Sequence, residues 1–322
     1  MWILHTEYRI LYTSFMFEAF QVGPFLVWTR LVFLLLGIWL SIEFFLRLSV
    51  SAHLSIQHFR DKAWQYLIAF LGGGRLFAMV AEYRAYLKDP LRIFIVWDGG
   101  WSFIGGAIGV GILLWWISRT HRATFLQWLD ALVPAASLGL FFDWVGKFVS
   151  GHAYGRPSDM FWAVTYDAIN VRYTVPIHPV QLYYALLFLL LTFALLVIRK
   201  RSKRAGEETL IGIICASLLT FGLEYYRGDF TIPVFATKLD LLVLVILFVS
   251  LGVFAIVELK LTQRSIVIYQ SVLVGLFTVY IIIRRFLHLP THELRFTQFL
   301  AIVALLATIV YVTVHRRKYP HL

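Results

Sequence analysis

Apolar stretches of about twenty residues recur from one end of this chain to the other, and each would cover the roughly 30 Å hydrocarbon core of a bilayer at ~1.5 Å per helical residue. Inside lipid no water is present to satisfy backbone N–H and C=O groups, so such stretches must close their own hydrogen bonds as helices. With 60% hydrophobic and 15% charged residues among 322, and a mean hydropathy of +0.77, the chain has too little polar surface to cover a water-soluble core. The fold class expected is therefore an all-α, polytopic membrane helix bundle. Apolar run lengths and charged interruptions place spans near 25–46, 63–82, 102–118, 125–149, 180–198, 209–226, 239–258, 265–283 and 297–315, about nine in all.

The net charge of +11 is spread over short segments between these runs. That distribution suits membrane topology and contact with anionic lipid, and it does not make the continuous basic face that nucleic acid needs. The basic run from Arg199 to Arg204 is expected in the cytoplasm, which places the N-terminus outside and the C-terminal Arg316-Arg317-Lys318 inside; Arg284-Arg285 runs against that order. Cys215 is the single cysteine, which excludes an internal disulfide and a thiolate metal site, and its apolar neighbours make it a packing residue. Residues 1–24 mix His5, Glu7, Arg9 and Glu18 with aromatics, so no cleaved signal peptide is expected. No tandem repeat or low-complexity tract interrupts the membrane domain.

Charges inside a span are the informative residues, because each costs about 2.5–3.5 kcal/mol on insertion scales unless it meets a partner or water. Arg30, Arg75, Asp143, Lys147 and Glu224 are such charges. For Arg30 and Arg75 a place in a polar interior and a bland role, snorkelling or a structural ion pair, fit equally well. Asp143 and Lys147 stand four apart, the spacing of an ion pair on one helical face, and Glu224 stands three before Arg227. His178-Pro179 reads either as the cap of a helix flanked by interfacial Tyr183 and Tyr184 or as part of a polar site.

Several short motifs fall in order at the expected outer ends of the spans. They are Gly23-Pro24-Phe25, Gly72-Gly73-Gly74-Arg75, Trp97-Asp98-Gly99-Gly100-Trp101-Ser102-Phe103-Ile104-Gly105-Gly106, Gly155-Arg156-Pro157-Ser158-Asp159, His178-Pro179-Val180-Gln181-Leu182-Tyr183 and Glu224-Tyr225-Tyr226-Arg227-Gly228-Asp229. Over roughly residues 20–258 the ordered set resembles the prolipoprotein diacylglyceryl transferases. The resemblance implies transfer of the diacylglyceryl group of phosphatidylglycerol, or another anionic phospholipid, to the lipobox cysteine thiol of a prolipoprotein signal peptide. It implies no metal and no cofactor, residence in the bacterial inner membrane, a transferase-like domain over 1–260 and added membrane helices over 261–322.

Such chemistry needs a deprotonated thiol and fixed cations for the departing phosphate. By the resemblance, the catalytic candidates are Glu224, Arg227, Lys147 and His152, and the phospholipid-binding candidates are Arg75, Arg156, Gly155, His178, Gln181, Tyr183 and Gly105. The family signature Gly-Arg-x-Gly-Asn-Phe-x-Asn-x-Glu-x-x-Gly is altered in this chain: Trp144 stands for its arginine, Lys147 for its first asparagine and His152 for its glutamate. Ile104 replaces a histidine, Thr220 an arginine and Thr29 a tyrosine. Lys147, one turn beyond Trp144, is a candidate replacement cation, and a purely structural pair with Asp143 is the competing reading. A second functional class is a homologue that binds phospholipid or lipoprotein without transfer, and a third is a small-solute transporter. Oligomeric state is not legible.

Overall fold

In the computed structural model, the structure describes residues 19–22, 25–81, 83–90, 102–118, 122–166, 171–202, 205–229, 233–237, 246, 263–286 and 291–318. The expected span 239–258 and the motif from Trp97 to Trp101 lie outside these residues. The chain forms two compact units, Met1–Phe230 and Thr231–Leu322.

The first unit opens with an antiparallel ribbon of β1 (Ala19–Val22) and β2 (Phe25–Trp28), paired Ala19 to Trp28 through Val22 to Phe25. The ribbon takes the first four residues of the expected first span, so α1 runs Thr29–Ser51. Aromatic and β-branched residues on both sides of Gly23-Pro24 favour a strand turn over a helix there. Then come the short α2 (Gln57–Asp61), α3 (Ala63–Ala81), the short α4 (Tyr83–Lys88), α5 (Phe103–Ile117), α6 (Arg122–Val149), α7 (Val180–Arg201) and α8 (Glu207–Leu223), which ends in a 3-10 turn at Glu224–Tyr226. The second unit holds α9 (Gln263–Phe286), α10 (Phe296–Lys318) and a ribbon of β3 (Pro233–Thr237) with β4 (Thr291–Arg295), paired Pro233 to Arg295.

Among the described residues five helices are long and apolar enough to cross a membrane: α1, α3, α6, α7 and α8 with its 3-10 turn. Shorter apolar helices cover Phe103–Ile117, Val267–Tyr280 and Phe296–Val312. The chain is thus an all-α, multi-pass membrane protein. Its large exposed side chains, such as Leu35, Trp39, Ile68, Leu190 and Phe193, are the lipid-facing residues that a membrane bundle requires and a soluble one forbids.

Glycine sets the closest helix crossings. A Cβ on Gly109 would sit 2.1 Å from the Ala69 carbonyl oxygen, and one on Gly105 would sit 2.6 Å from that of Gly73, so α3 and α5 touch backbone to backbone. Glycine also sets the α1–α6 contact: a Cβ on Gly37 would lie 3.0 Å from the Gly139 carbonyl oxygen, and one on Gly146 would lie 2.8 Å from Phe33 Cβ. The α1–α6 crossing, together with the packing of α7 against α6 and α8, brings the start of α1, the end of α6, the start of α7 and the end of α8 to one end of the unit.

The opposite end is fastened by a polar clasp. Pro134 inside α6 has no N–H to give the Asp130 carbonyl, and Arg199 of α7 donates to that oxygen at 3.3 Å, to the Leu48 carbonyl ending α1 at 2.9 Å, and to Glu208 of α8 at 3.5 Å. The Asp130 carboxylate accepts from Gly206 N at 2.6 Å, Thr209 N at 3.0 Å and Thr209 Oγ1 at 2.7 Å, capping α8 from a neighbouring helix.

Candidate functional site

The site grows from the last turns of α6. Asp143 and Lys147 form the ion pair their spacing predicts, Nζ to Oδ2 at 2.6 Å. Between them Trp144, buried and standing at the signature arginine position, stacks on Tyr184 of α7 with ring centroids 4.0 Å apart and planes 8° from parallel. The Lys147 ammonium lies 4.1 Å from the Trp144 ring centroid, so its charge is held by a carboxylate and an aromatic face together.

Tyr184 carries the network onward, donating its phenol to Glu224 Oε2 at 2.9 Å and to the Thr220 carbonyl at 3.2 Å. Glu224 is fully buried, with 0% of its surface exposed. It accepts from Arg227 Nη1 at 2.9 Å and 3.2 Å, while Arg227 Nε and Nη2 donate to the two oxygens of Asp229 at 3.0 Å and 2.6 Å. Glu224 and Arg227 therefore pair as their spacing predicts, across a 3-10 turn and not along an α-helix, and Asp229 is a partner that the spacing did not announce. With both edges of its guanidinium on carboxylates, Arg227 is fixed as an anchor for Glu224.

A small platform covers this end. Gly155 bridges Arg227, and Pro157 and Val164 both bridge Ile177. Glycine is required at two of these contacts: a Cβ on Gly155 would lie 2.2 Å from the His178 carbonyl oxygen, and one on Gly228 would lie 2.3 Å from that of Gly155. Arg156 donates Nε to the Arg227 carbonyl at 3.2 Å and lays its guanidinium over Tyr225 at 5.0 Å. It is exposed, and it has no ion-pair partner among the described residues.

Gln181 is fully buried and donates Nε2 to the His152 carbonyl at 2.9 Å, tying α7 to the turn after α6. His152 Nδ1 lies 3.0 Å from Ser150 Oγ, whose own proton goes to the Gly146 carbonyl, so Nδ1 carries the ring proton in the neutral form. Tyr183 accepts from Trp162 Nε1, an obligatory donor, and gives its phenol proton to His178 Nδ1 at 3.3 Å. Burial holds the His178 pKa below the ordinary imidazole value, and burial of Tyr166 in the platform raises its phenol pKa.

Two further predicted residues lie on α3 and α5. Gly105 sits in the α3–α5 crossing, where the space around it is filled by Phe77 and Gly73. Arg75, buried on α3, has its guanidinium 5.5 Å from the Tyr86 ring on α4. The sequence reading missed Tyr184 and Asp229 as members of the site. Their signal was their place inside motifs already singled out, next to Tyr183 and two residues after Arg227. Among the described residues no His, Cys, Asp and Glu cluster has the makings of a metal site. An apolar groove of about 390 Å³ opens between α1, α3, α5 and α6, lined by Ile38, Phe45, Leu67, Phe70, Phe103 and Leu132 among others.

A multi-pass bundle with a buried carboxylate–guanidinium–carboxylate chain and further cations at one end defines a polytopic membrane protein with a charged cluster at one end of its bundle. The profile of the prolipoprotein diacylglyceryl transferases matches residues 18–258, and the chain belongs to that family. It is 32% identical over 165 residues to the phosphatidylglycerol–prolipoprotein diacylglyceryl transferase of Pseudoalteromonas atlantica, covering 51% of this chain and 58% of that protein. The enzyme of the same name from Polynucleobacter necessarius is 30% identical over 216 residues, 65% of this chain and 81% of the relative. That from Zymomonas mobilis is 36% identical over 164 residues, 50% and 56%. The match thus spans little more than half the length of two of these relatives.

Proposed function

We propose that this protein transfers the diacylglyceryl group of phosphatidylglycerol to the lipobox cysteine thiol of a prolipoprotein. The thiol loses its proton, the thiolate sulfur attacks the glyceryl carbon that bears the phosphate, a C–S bond forms as the C–O bond breaks, and glycerol phosphate leaves with the electron pair. The observation that supports this best is the family match together with the Lys147–Trp144–Tyr184–Glu224–Arg227–Asp229 network at one end of the bundle. In this reading Glu224 and Arg227 hold the site's geometry, and Lys147 and Arg156 face the phosphate. Gln181, His178, Tyr183 and Gly155 shape the platform over the glyceryl group, and His152 is a candidate proton acceptor through Nε2. The apolar groove suits an acyl chain: aliphatic and aromatic side chains make up most of its wall, and the Ser41 hydroxyl on it is already bonded to the Ala135 carbonyl at 2.8 Å.

The site end is assigned to the outer face of the bacterial inner membrane, with the N-terminus outside and the C-terminus cytoplasmic. Residues 1–260 are taken as the transferase-like domain and 261–322 as added membrane helices. A second reading, lipid binding without transfer, is favoured by Trp144, which fills the signature arginine position with a stacked aromatic. The two separate in proteoliposomes containing phosphatidylglycerol labelled in its acyl chains and a lipobox peptide. Thioether-linked label on the peptide is expected; bound lipid with no labelled peptide overturns the transfer reading in favour of the binder.

A further inference from the structure

The paired groups of the site are short of positive charge. Lys147 and Arg227 face three carboxylates, Asp143, Glu224 and Asp229, which leaves a net negative cluster where a phosphodiester anion has to be held. Trp144 cannot help, because it is stacked and buried.

The first turn of α1 supplies what is missing. Arg30, Phe33, Gly37 and Ser41 follow one another at three- and four-residue steps along the face of α1 that meets α6. Ser41 bonds the Ala135 carbonyl, Gly37 lies against Gly139 and Phe142, and Phe33 lies against Gly146. Carried one turn further, this antiparallel register sets Arg30 opposite Lys147, beside Gly146, whose Cβ position lies 3.4 Å from the Arg30 carbonyl oxygen. Arg30 is only partly buried and has no ion-pair or hydrogen-bond partner among the described residues. Two cations facing each other across a helix pair repel, and Asp143 neutralises one of them. An anion between them relieves the repulsion.

Two more features of the same turn point to an anion. The Thr29 hydroxyl is buried, with 3% of the residue exposed, and has no hydrogen-bond partner among the described residues. The N-terminus of α1 has no side-chain cap on its N–H groups and no acidic residue in its first turn.

We infer that Arg30 is the phosphate-binding guanidinium of this chain, offered from the first turn of α1 in place of the signature arginine that Trp144 displaces on α6. With Lys147 it grips the phosphodiester of the phospholipid head group, and the Thr29 hydroxyl and the open helix end complete the cradle. A planar fork binds phosphate through two parallel hydrogen bonds, a geometry the Lys147 ammonium cannot supply. This assignment rests on the transferase reading for its substrate but predicts a binding property that survives if transfer does not occur.

The test is binding of fluorescent phosphatidylglycerol and fluorescent diacylglycerol, which shares its acyl chains but lacks the phosphate, to the full chain in neutral detergent, alongside the transfer assay. The unaltered protein should prefer phosphatidylglycerol. Arg30→Gln, which keeps most of the stem, should weaken phosphatidylglycerol binding about thirtyfold or more, as for loss of a charge-assisted contact, and leave binding of diacylglycerol, which has no phosphate, unchanged. Arg30→Lys should recover part of the preference, and all three proteins should have the same helical content by circular dichroism. Equal binding of the two lipids by the unaltered protein overturns the assignment. So does an Arg30→Gln variant that keeps the preference or loses both lipids alike. Bound phosphatidylglycerol without labelled peptide removes the transferase reading alone, and the head-group comparison still decides Arg30.

Discussion

At the residue scale, the site is governed by how buried charges are neutralised. Glu224 has no access to solvent, and Arg227 is its ion-pair partner. Removing one member of a buried pair leaves an uncompensated charge and costs about 3–5 kcal/mol, more than the pair itself contributes over an apolar substitute. Arg227→Met is therefore expected to lower the thermal midpoint in detergent sharply. Arg227→Met combined with Glu224→Gln should recover much of that loss while transfer stays absent. A single variant with unchanged midpoint would place Arg227 outside the structural network. His178 gives a pH signature of definite sign. Burial lowers its folded pKa, so folding favours the neutral ring. The associated stability is complete above the ordinary imidazole pKa of about 6.5 and is lost as pH falls through the lowered folded value. Thermal midpoints of the unaltered protein should thus fall on acidification, and His178→Asn should flatten that part of the profile.

At the element scale, the α3–α5 pair is held by glycine contacts with no room for side chains. Gly109→Leu would press several carbons onto a carbonyl oxygen that even a Cβ approaches at 2.1 Å, so the helices must separate. The expected outcome is loss of the detergent-stable monodisperse species in size-exclusion chromatography, whereas Gly72→Ala, with nothing within 4 Å of its Cβ position, should behave as the unaltered protein. Helix boundaries were legible because lipid permits few ways to end a span: α7 begins at Val180 as expected, after the Pro179 turn, and α6 ends at Val149 as expected. The first span began four residues late because Phe25–Trp28 are apolar in either a strand or a helix, and run length alone cannot separate the two. Within one element the pairs Asp143–Lys147 and Glu224–Arg227 were readable from spacing. The Trp144–Tyr184 stack and the clasp of Asp130 with α8 join different helices, and no spacing in the sequence encodes that meeting. Asp130 still carried a signal: an acid inside an expected span, four residues before a proline that frees its carbonyl.

At the scale of the whole molecule, the two ends of the first unit are coupled through α8. The Asp130 clasp holds Gly206 and Thr209 at its first turn, and Glu224 follows its last residue, about 25 Å away at ~1.5 Å per residue. A helix is stiff along its axis, so the depth at which the clasp fixes the start of α8 also fixes the depth of Glu224 against Tyr184. Asp130→Ala removes the acceptors for Gly206 N, Thr209 N and Thr209 Oγ1, at about 1–3 kcal/mol for each buried group left without a partner. Asp130→Asn keeps one acceptor oxygen and should lose less. Although neither substitution touches the site end, both should reduce transfer in the same order as they reduce the thermal midpoint, with the alanine variant the weaker in both measurements. If Asp130→Ala lowered the midpoint yet left turnover unaltered, the clasp would fasten the bundle without setting the position of Glu224, and that alignment would have to come from the Trp144–Tyr184 stack alone.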